Sequence, residues 1–381
     1  MFGLEDILEK ELIKLGAKKI KKGNRCIYFQ GNQQCMYDAN IRLRTALKIL
    51  KVLQVFKTKS ETELYKHIRR IKWHNILSTS NTFSVNSTVN SKYFTHSHYV
   101  SLVVKDAIVD HFKQKFKKRP SVDTHKPQVN IHIHISNNKC TLSLNSSGDS
   151  LHKRGYRSSK FHAPINEVLA AGIILLSDWN KKTTLIDPMC GSGTFIIEAA
   201  LIAMNKSPNI YRKIFGFQNW RDYNQKVFEE VKEAAIKRET PYHQTIKGYD
   251  ISASTISMAK QHVNNMKLNN IVEVHGGDFF KLKGDKTSTL IFNPPYGKRI
   301  EIHKNYYTNI GNTLKHNYSG ISAWIITSEL QEIKKIGLRS SKKIKLFNGP
   351  LECRLVNYNL YEGSKKIKKA QNVERDRFLN Y

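Results

Sequence analysis

Thr183-Thr184-Leu185-Ile186-Asp187-Pro188-Met189-Cys190-Gly191-Ser192-Gly193-Thr194 opens the run TTLIDPMCGSGTFIIEAALIA, residues 183–203, which joins a short apolar strand to a helix through an acid and two glycines. Gly191 and Gly193 remove side chains where the chain must turn tightly and where a ligand must approach the backbone, at the carboxyl end of a parallel strand. Open α/β sheets bind ligands at that place. The spacing is not GxGxxG and the turn has no phosphate-loop lysine, so neither a dinucleotide nor a triphosphate is its natural ligand. Cys190 sits inside the turn and reads as packing.

Downstream, helical stretches alternate with the short strands TIKGYD, IVEVHGGD, STLIFN and AWIITS, and the chain closes with KIKLF and ECRLVNYNLY. Alternation of this kind predicts a mainly parallel sheet covered on both faces, with the last two strands as an antiparallel hairpin at its edge. Two further strands end in acids, Asp250 and Asp278. An acid after the second strand can accept both ribose hydroxyls of a nucleoside, and one after the third can accept an exocyclic amine of adenine. Any one of the three is as well explained as a helix N-cap. Together with Asp187 they suit a cationic nucleoside, S-adenosylmethionine. The interval from Asp187 to Asp250 is about three times the ~20 residues usual in a dinucleotide fold. The excess is a segment rich in aromatic and basic residues, with one helix expected after Trp220; its aromatics are expected to pack, and the alternative is a roof over the site.

The fourth strand runs into Asn293-Pro294-Pro295-Tyr296. The prolines stop the ladder and fix the direction of the neighbouring carbonyl. The Asn293 side-chain oxygen and the Pro294 carbonyl then form a pair of acceptors beside the Tyr296 ring. Two convergent acceptors and an aromatic face suit an –NH₂ group on a flat base, held so that its lone pair meets a sulfonium methyl. A base in a duplex cannot be reached there, so it must be flipped out or already unpaired.

The first half has other periods. LEDILEKELIKLG carries Leu4, Ile7, Leu8, Leu12 and Leu15 at helical spacing and stops at Gly16; RCIYFQG reads as a strand; Tyr37 through Leu53 reads as a second helix with a strongly basic face. TFSVNSTV predicts a strand, SLVVKDAIVDHFKQKF an amphipathic helix, and QVNIHIHIS with CTLSL a β-hairpin across Asn137-Asn138. His132 and His134 share a strand face without an evident third ligand, so that face is expected to be solvated and no metal is expected. LHKRGYRSSKF, 151–161, reads as a basic connection.

Lys and Arg number 63 against 31 Asp and Glu, a formal net charge of +32 that favours a polyanionic partner such as RNA. The five cysteines are scattered and contain no CxxC pair, which argues against a disulfide framework and a zinc site and fits a cytoplasmic protein. No signal-like segment and no run of the ~18 apolar residues needed for a membrane span is present, so no membrane partner is expected.

With these residues assembled, the chain resembles the bacterial THUMP-domain class I RNA methyltransferases that act on guanine N2 of 23S ribosomal RNA. The resemblance rests on GLEDILEKELIKLGA, LHKRGYR, APINEVLAAGIILLSDW, DPMCGSGTFIIEAA, FNPPYG and LFNGPLECR. It implies an α/β class I methyltransferase domain, Rossmann-like with a seven-stranded sheet, preceded by ferredoxin-like and THUMP α+β domains. The expected divisions are 1–55 for the ferredoxin-like domain, 56–150 for THUMP, 151–162 for the linker and 163–381 for the methyltransferase domain. By the same resemblance Asp187, Gly191 and Gly193 surround S-adenosylmethionine, Asp250 holds its ribose, Asp278 its adenine, and Asn293, which also borders the cofactor, acts with Pro294 and Tyr296 on the target base. Lys298 and Arg299 meet RNA phosphate. The strand that usually precedes the first helix is expected to be missing, as is the second catalytic domain that some relatives carry. The partner implied is 23S rRNA or a large-subunit precursor. Transfer RNA guanine N2 and nucleic-acid adenine N6 are alternative targets, and a non-catalytic RNA-binding assembly factor is the alternative of another class. A nicotinamide oxidoreductase lacks its glycine fingerprint here.

Overall fold

The computed structural model describes residues 1–157, 165–284, 287–295 and 305–361. The chain begins with α1 (Glu5–Leu15), the antiparallel pair β1 (Lys18–Gly23) and β2 (Cys26–Gln30), and α2 (Gln33–Arg42). Gly16 ends α1 at φ +85°, and its N–H returns to the Ile13 carbonyl, so the left-handed cap that the sequence calls for is in place.

A five-stranded sheet follows, built from β3 (Leu50–Lys57), β4 (Thr82–Asn90), β5 (Ser121–Val122), β6 (Val129–Ser136) and β7 (Lys139–Asn145) in the order β3-β7-β6-β4-β5. Helices α3 (Glu61–Arg69) and α4 (Ser97–Phe116) cover one face. Val129, Ile131, Ile133 and Ile135 alternate inward along β6, and Val104, Ile108 and Phe112 of α4 share the same core. The hairpin turns at Asn137, φ +51°. Its polar face is half-buried: His132 Nε2 lies 3.3 Å from Thr88 Oγ1, and burial, helped by Lys48 and His134, pushes its pKa down to about 4. The solvated-face expectation is thus corrected for His132.

The helix expected over 37–53 is also corrected. It stops at Arg42, Leu43 is extended, and residues 50–57 form β3, paired antiparallel with β7 across the expected 55/56 division. The β-branched Val52 and Val55 suit a strand, and a register shift between Val52 and Gln54 leaves Leu50, Val52 and Val55 all exposed on this edge strand. Arg44, expected on a solvated basic face, is buried; its Nη2 donates to the Leu201 and Lys206 carbonyls at 3.0 and 2.7 Å.

The second half holds α5 (Glu167–Leu176), β8 (Leu185–Asp187), α6 (Thr194–Ala203), α7 (Gln225–Lys237), β9 (Ile246–Asp250), α8 (Ala253–Asn265), β10 (Val272–Gly276), β11 (Thr289–Phe292), α9 (Tyr306–Asn317), β12 (Ser322–Thr327), β13 (Lys342–Asn348) and β14 (Leu351–Asn359). The sheet order is β10-β9-β8-β11-β12-β14-β13, parallel from β10 to β12. The closing hairpin is present, with β14 inserted antiparallel between β12 and β13. Strand order reverses between β8 and β11, which places a crevice at their carboxyl ends.

The two halves are welded together. Leu151, Arg154 and Tyr156 of the basic connection are buried. Arg154 pairs with Glu198 of α6 at 3.1 Å, both side chains fully buried, and also donates to the Leu151 and Arg44 carbonyls. Glu11 of α1 accepts from the backbone N–H groups of Arg44 and Thr45. Leu4 belongs to the core beneath the seven-stranded sheet, against Gly172 of α5, and Phe2 meets Phe347 edge-on at 5.3 Å.

Candidate cofactor and catalytic site

At the end of β8, Asp187 is almost wholly buried, and its Oδ1 accepts the Met189 N–H at 3.1 Å. Burial holds its carboxyl well above the usual carboxylate range, with the neighbouring Asp250 charge adding to the effect. A cation arriving beside it would relieve both. The turn that follows is fixed from outside. Cys190 N–H donates to the Tyr249 carbonyl at 2.8 Å, and the Ser192 carbonyl accepts from His262 Nδ1 at 3.0 Å. Gly191 (φ +53°) would point a side chain into open space, whereas a Cβ on Gly193 (φ +85°) would stand 3.3 Å from Ala259. Both need the left-handed region; Gly191 faces the crevice, and Gly193 lets α8 pack closely. Cys190 is buried against Gly248, and its thiol is pushed far up, chiefly by burial. That is a packing side chain.

Asp250 closes β9. Its Oδ2 accepts the Gly191 N–H at 3.0 Å and its Oδ1 the Ser252 N–H at 2.9 Å. A carboxylate offers about four lone-pair positions. Two are engaged in shaping the site and two are left for a ligand, the number a ribose diol requires. Asp278 follows β10, accepts the Phe280 N–H at 3.0 Å and keeps 37% of its side chain exposed.

In β11, Leu290 lies beside Ile186 of β8, so Asn293 continues past the end of β8 next to the glycine turn. Pro294 is buried, and the half-buried Asn293 amide has no hydrogen-bond partner among the described residues. Tyr296, Lys298 and Arg299 lie outside the described residues. The structure therefore brings Asp187, Gly191, Gly193, Asp250, Asp278, Asn293 and Pro294 to one edge of the sheet.

Tyr306 was not singled out from the sequence. Its hydroxyl donates to Met189 Sδ at 3.6 Å and its ring meets Phe280 edge-on at 5.6 Å, so it bridges the turns after β8 and β10. Burial first, then the charges of Asp278 and Asp250, push its phenol up to about 12. The available signal was the Tyr306-Tyr307 pair opening a helix soon after the proline loop. Arg157 was missed as well: Nη2 donates to Thr194 Oγ1 at 2.6 Å, and Nη1 lies 3.2 Å from Glu167, whose carboxyl burial raises to about 6.

Residues 154–357 match the RMKL-like methyltransferase domain family. The chain belongs to that family. Residues 58–145 match the THUMP domain and residues 1–50 the RlmL ferredoxin-like domain. The fold expected from the sequence, a class I methyltransferase domain behind ferredoxin-like and THUMP domains, is the one present. Among curated relatives of this family member, a Synechocystis protein named "Putative RNA methyltransferase slr0064" is 35% identical over 94% of this chain and 95% of its own. Ribosomal RNA large subunit methyltransferase K/L of Buchnera aphidicola subsp. Schizaphis graminum is 36% identical over 94% of this chain and 53% of its own. The chain thus spans about half the length of the K/L relatives it matches. A crystal structure of SMU.472 complexed with SAH superposes with a TM-score of 0.82, at 29% identity, covering 95% of this chain and 97% of that one. Among the described residues no helix is long and apolar enough to cross a membrane, and no group of three or more His, Cys, Asp or Glu is placed to hold a metal ion.

Proposed function

We propose that this protein is an S-adenosylmethionine-dependent RNA methyltransferase that modifies the exocyclic N2 of a guanine, with 23S ribosomal RNA or a large-subunit precursor as substrate, in the cytoplasm. The names of the K/L relatives and the SAH held by the SMU.472 structure support the substrate and cofactor. The observation that carries the reading is the Asn293 amide, without a hydrogen-bond partner among the described residues, next to a glycine turn whose neighbouring carboxylate keeps two acceptor positions free among those residues.

The donor set fits the cofactor. Asp250 would hold the ribose diol, Asp278 the adenine amine, and Asp187 the ammonium end, while Gly191 lets the methionine moiety approach the backbone. When bound, S-adenosylmethionine supplies an electrophilic methyl group on a sulfonium. Asn293 Oδ1 and the Pro294 carbonyl accept the two N–H protons of the guanine amine and aim its lone pair along the line of attack. The bound cofactor would give up its methyl group to that nitrogen, the N–C bond forming as its C–S bond breaks, and the extra proton would leave the nitrogen for solvent, so the chain need supply no strong base. Tyr296 stacks on the flipped base, a contact worth about 1–3 kcal/mol in other single-strand sites. The half built on the five-stranded sheet, β3 included, delivers the RNA, the connection 151–162 couples that half to the catalytic one, and 163–381 carries the chemistry.

The test combines purified protein, labelled S-adenosylmethionine and ribosomal RNA from a strain lacking the gene, followed by nucleoside analysis. N2-methylguanosine is expected. N6-methyladenosine in its place, or labelled product only with transfer RNA, would overturn the base or substrate assignment.

A further inference from the structure

The segment between α6 and α7 leaves the helix that begins in the glycine turn, yet its side chains belong elsewhere. Phe215, Phe217 and Trp220 are buried in the core of the first half, with Phe217 4.3 Å from the Tyr37 ring. Asn209 Nδ2 donates to the Asn40 carbonyl at 3.0 Å, Asn219 Nδ2 to Gln128 at 3.1 Å, and Arg221 Nη1 to His74 at 2.6 Å. The Phe217 N–H donates to the Ser146 carbonyl. Asp222 takes Lys51 Nζ at 2.5 Å. Partners thus come from α2, the five-stranded sheet and the loops around it.

Arg212 is the centre of this arrangement. A guanidinium has five N–H donors, and Arg212 spends all five on carbonyls: Nε on Ile214 (3.1 Å), Nη1 on Ser150 and Lys153 (3.0 and 3.2 Å), Nη2 on Ser147 and Asp149 (3.1 and 2.7 Å). Four of these five carbonyls lie within residues 147–153, where the chain leaves β7 and enters the connection between the halves. Among the described residues, no hydrogen bond or ring contact of segment 205–224 reaches Asp187, Gly191, Asp250, Asp278 or Asn293. A roof over the crevice is not what this segment builds.

We propose that residues 205–224 are a splint that locks the RNA-binding half to α6 and thereby to the crevice, and that Arg212 is its positioning residue. The inference rests on the RNA methyltransferase reading above. With the splint intact, RNA held by one half meets a crevice at a fixed orientation; with it loosened, RNA and cofactor each still bind, but the base reaches Asn293 less often. The effect falls on kcat.

The test uses the full chain with spin labels at Lys118→Cys and Lys334→Cys in a Cys26→Ser, Cys35→Ser background, measuring the distance distribution by double electron–electron resonance. The unmodified splint should give one narrow distribution. Arg212→Ala should broaden it and lower kcat on ribosomal RNA at least tenfold, leaving the Kd for RNA and for S-adenosylhomocysteine within twofold. Arg212→Lys, which has three donors, should fall between; it also carries the test should the alanine variant fail to fold. A distribution that stays narrow in Arg212→Lys, or one already broad with Arg212 present, overturns the proposal whatever the activity. Loss of S-adenosylhomocysteine binding in proportion to kcat also overturns it, because the damage would then lie in the crevice. If no variant methylates RNA and the distances still behave as stated, the functional reading fails and the splint stands.

Discussion

Replacing Asp250 by Asn keeps the size of the side chain and removes one of its acceptors. In the native site both oxygens are committed, one to the Gly191 N–H and one to the Ser252 N–H. The amide has a single oxygen, so whichever way it turns, an NH₂ group confronts a backbone donor. A hydrogen bond to a charged group contributes about 1.5–3 kcal/mol, and Asp250 is only half-buried, which points to the lower part of that range. For a catalytic domain of this size the apo protein should melt a few degrees lower, at about 2–4 °C per kcal/mol. The cofactor loses separately, because at least one ribose hydroxyl finds no acceptor. Another ~1.5–3 kcal/mol there corresponds to roughly 10–150-fold weaker binding, at 1.4 kcal/mol per decade. Isothermal titration with S-adenosylhomocysteine measures this directly, and kcat/KM on RNA should fall at least as far. A Kd within threefold of the parent protein, alongside an unchanged melting temperature, would refute both the shaping role of Asp250 and its grip on the ribose.

Asp187→Asn should act in two directions. A carboxyl whose pKa is raised by folding contributes stability that is fully present below its unfolded pKa and lost as pH climbs through the folded value, so the neutral amide should make the apo protein melt higher than the parent at pH 8, with the gap closing towards pH 4. The same variant should bind cofactor more weakly, and a lower melting temperature at pH 8 would contradict the burial argument. Asn293→Ala should reduce kcat about 10²–10³-fold, the usual range for removing one preorganised hydrogen-bonding group, with the S-adenosylhomocysteine Kd unchanged; single-turnover kinetics that stay near the parent rate would end its assignment. Arg154→Ala strands a fully buried Glu198 and should cost about 3–5 kcal/mol in urea unfolding, far more than Glu198→Gln, and equal costs would mean that the pair's charge is not what holds the halves together.

The crevice was legible in the sequence because its parts are local. A glycine turn, acids at successive strand ends and a proline stop each announce themselves within a dozen residues, and parallel alternation then brings them to one edge. What escaped is set by distance along the chain. Arg44 reads as one more surface cation until Leu201 and Lys206, more than 150 residues away, supply the carbonyls that draw it inward. Residues 50–53 read as the end of a basic helix because Ile49, Leu50 and Leu53 also satisfy a helical period; pairing of 50–57 with β7, about ninety residues on, decides for a strand. Tyr306 acquires meaning only from Met189 and Phe280. Arg212 stood within a segment that composition marked as basic and aromatic, and no pattern in the sequence discloses which five carbonyls it gathers.

Leu4 has one more consequence. Because it fills space against Gly172 inside the catalytic half, the opening residues act as a plug for a domain that starts some 160 residues later in the chain. A polypeptide beginning at the connection would expose an apolar socket where Leu4 had been, and emptying a leucine site typically costs about 2–5 kcal/mol. The methyl-transferring half is therefore a poor candidate for excision, and adding back a peptide of residues 1–16 should partly restore its melting temperature.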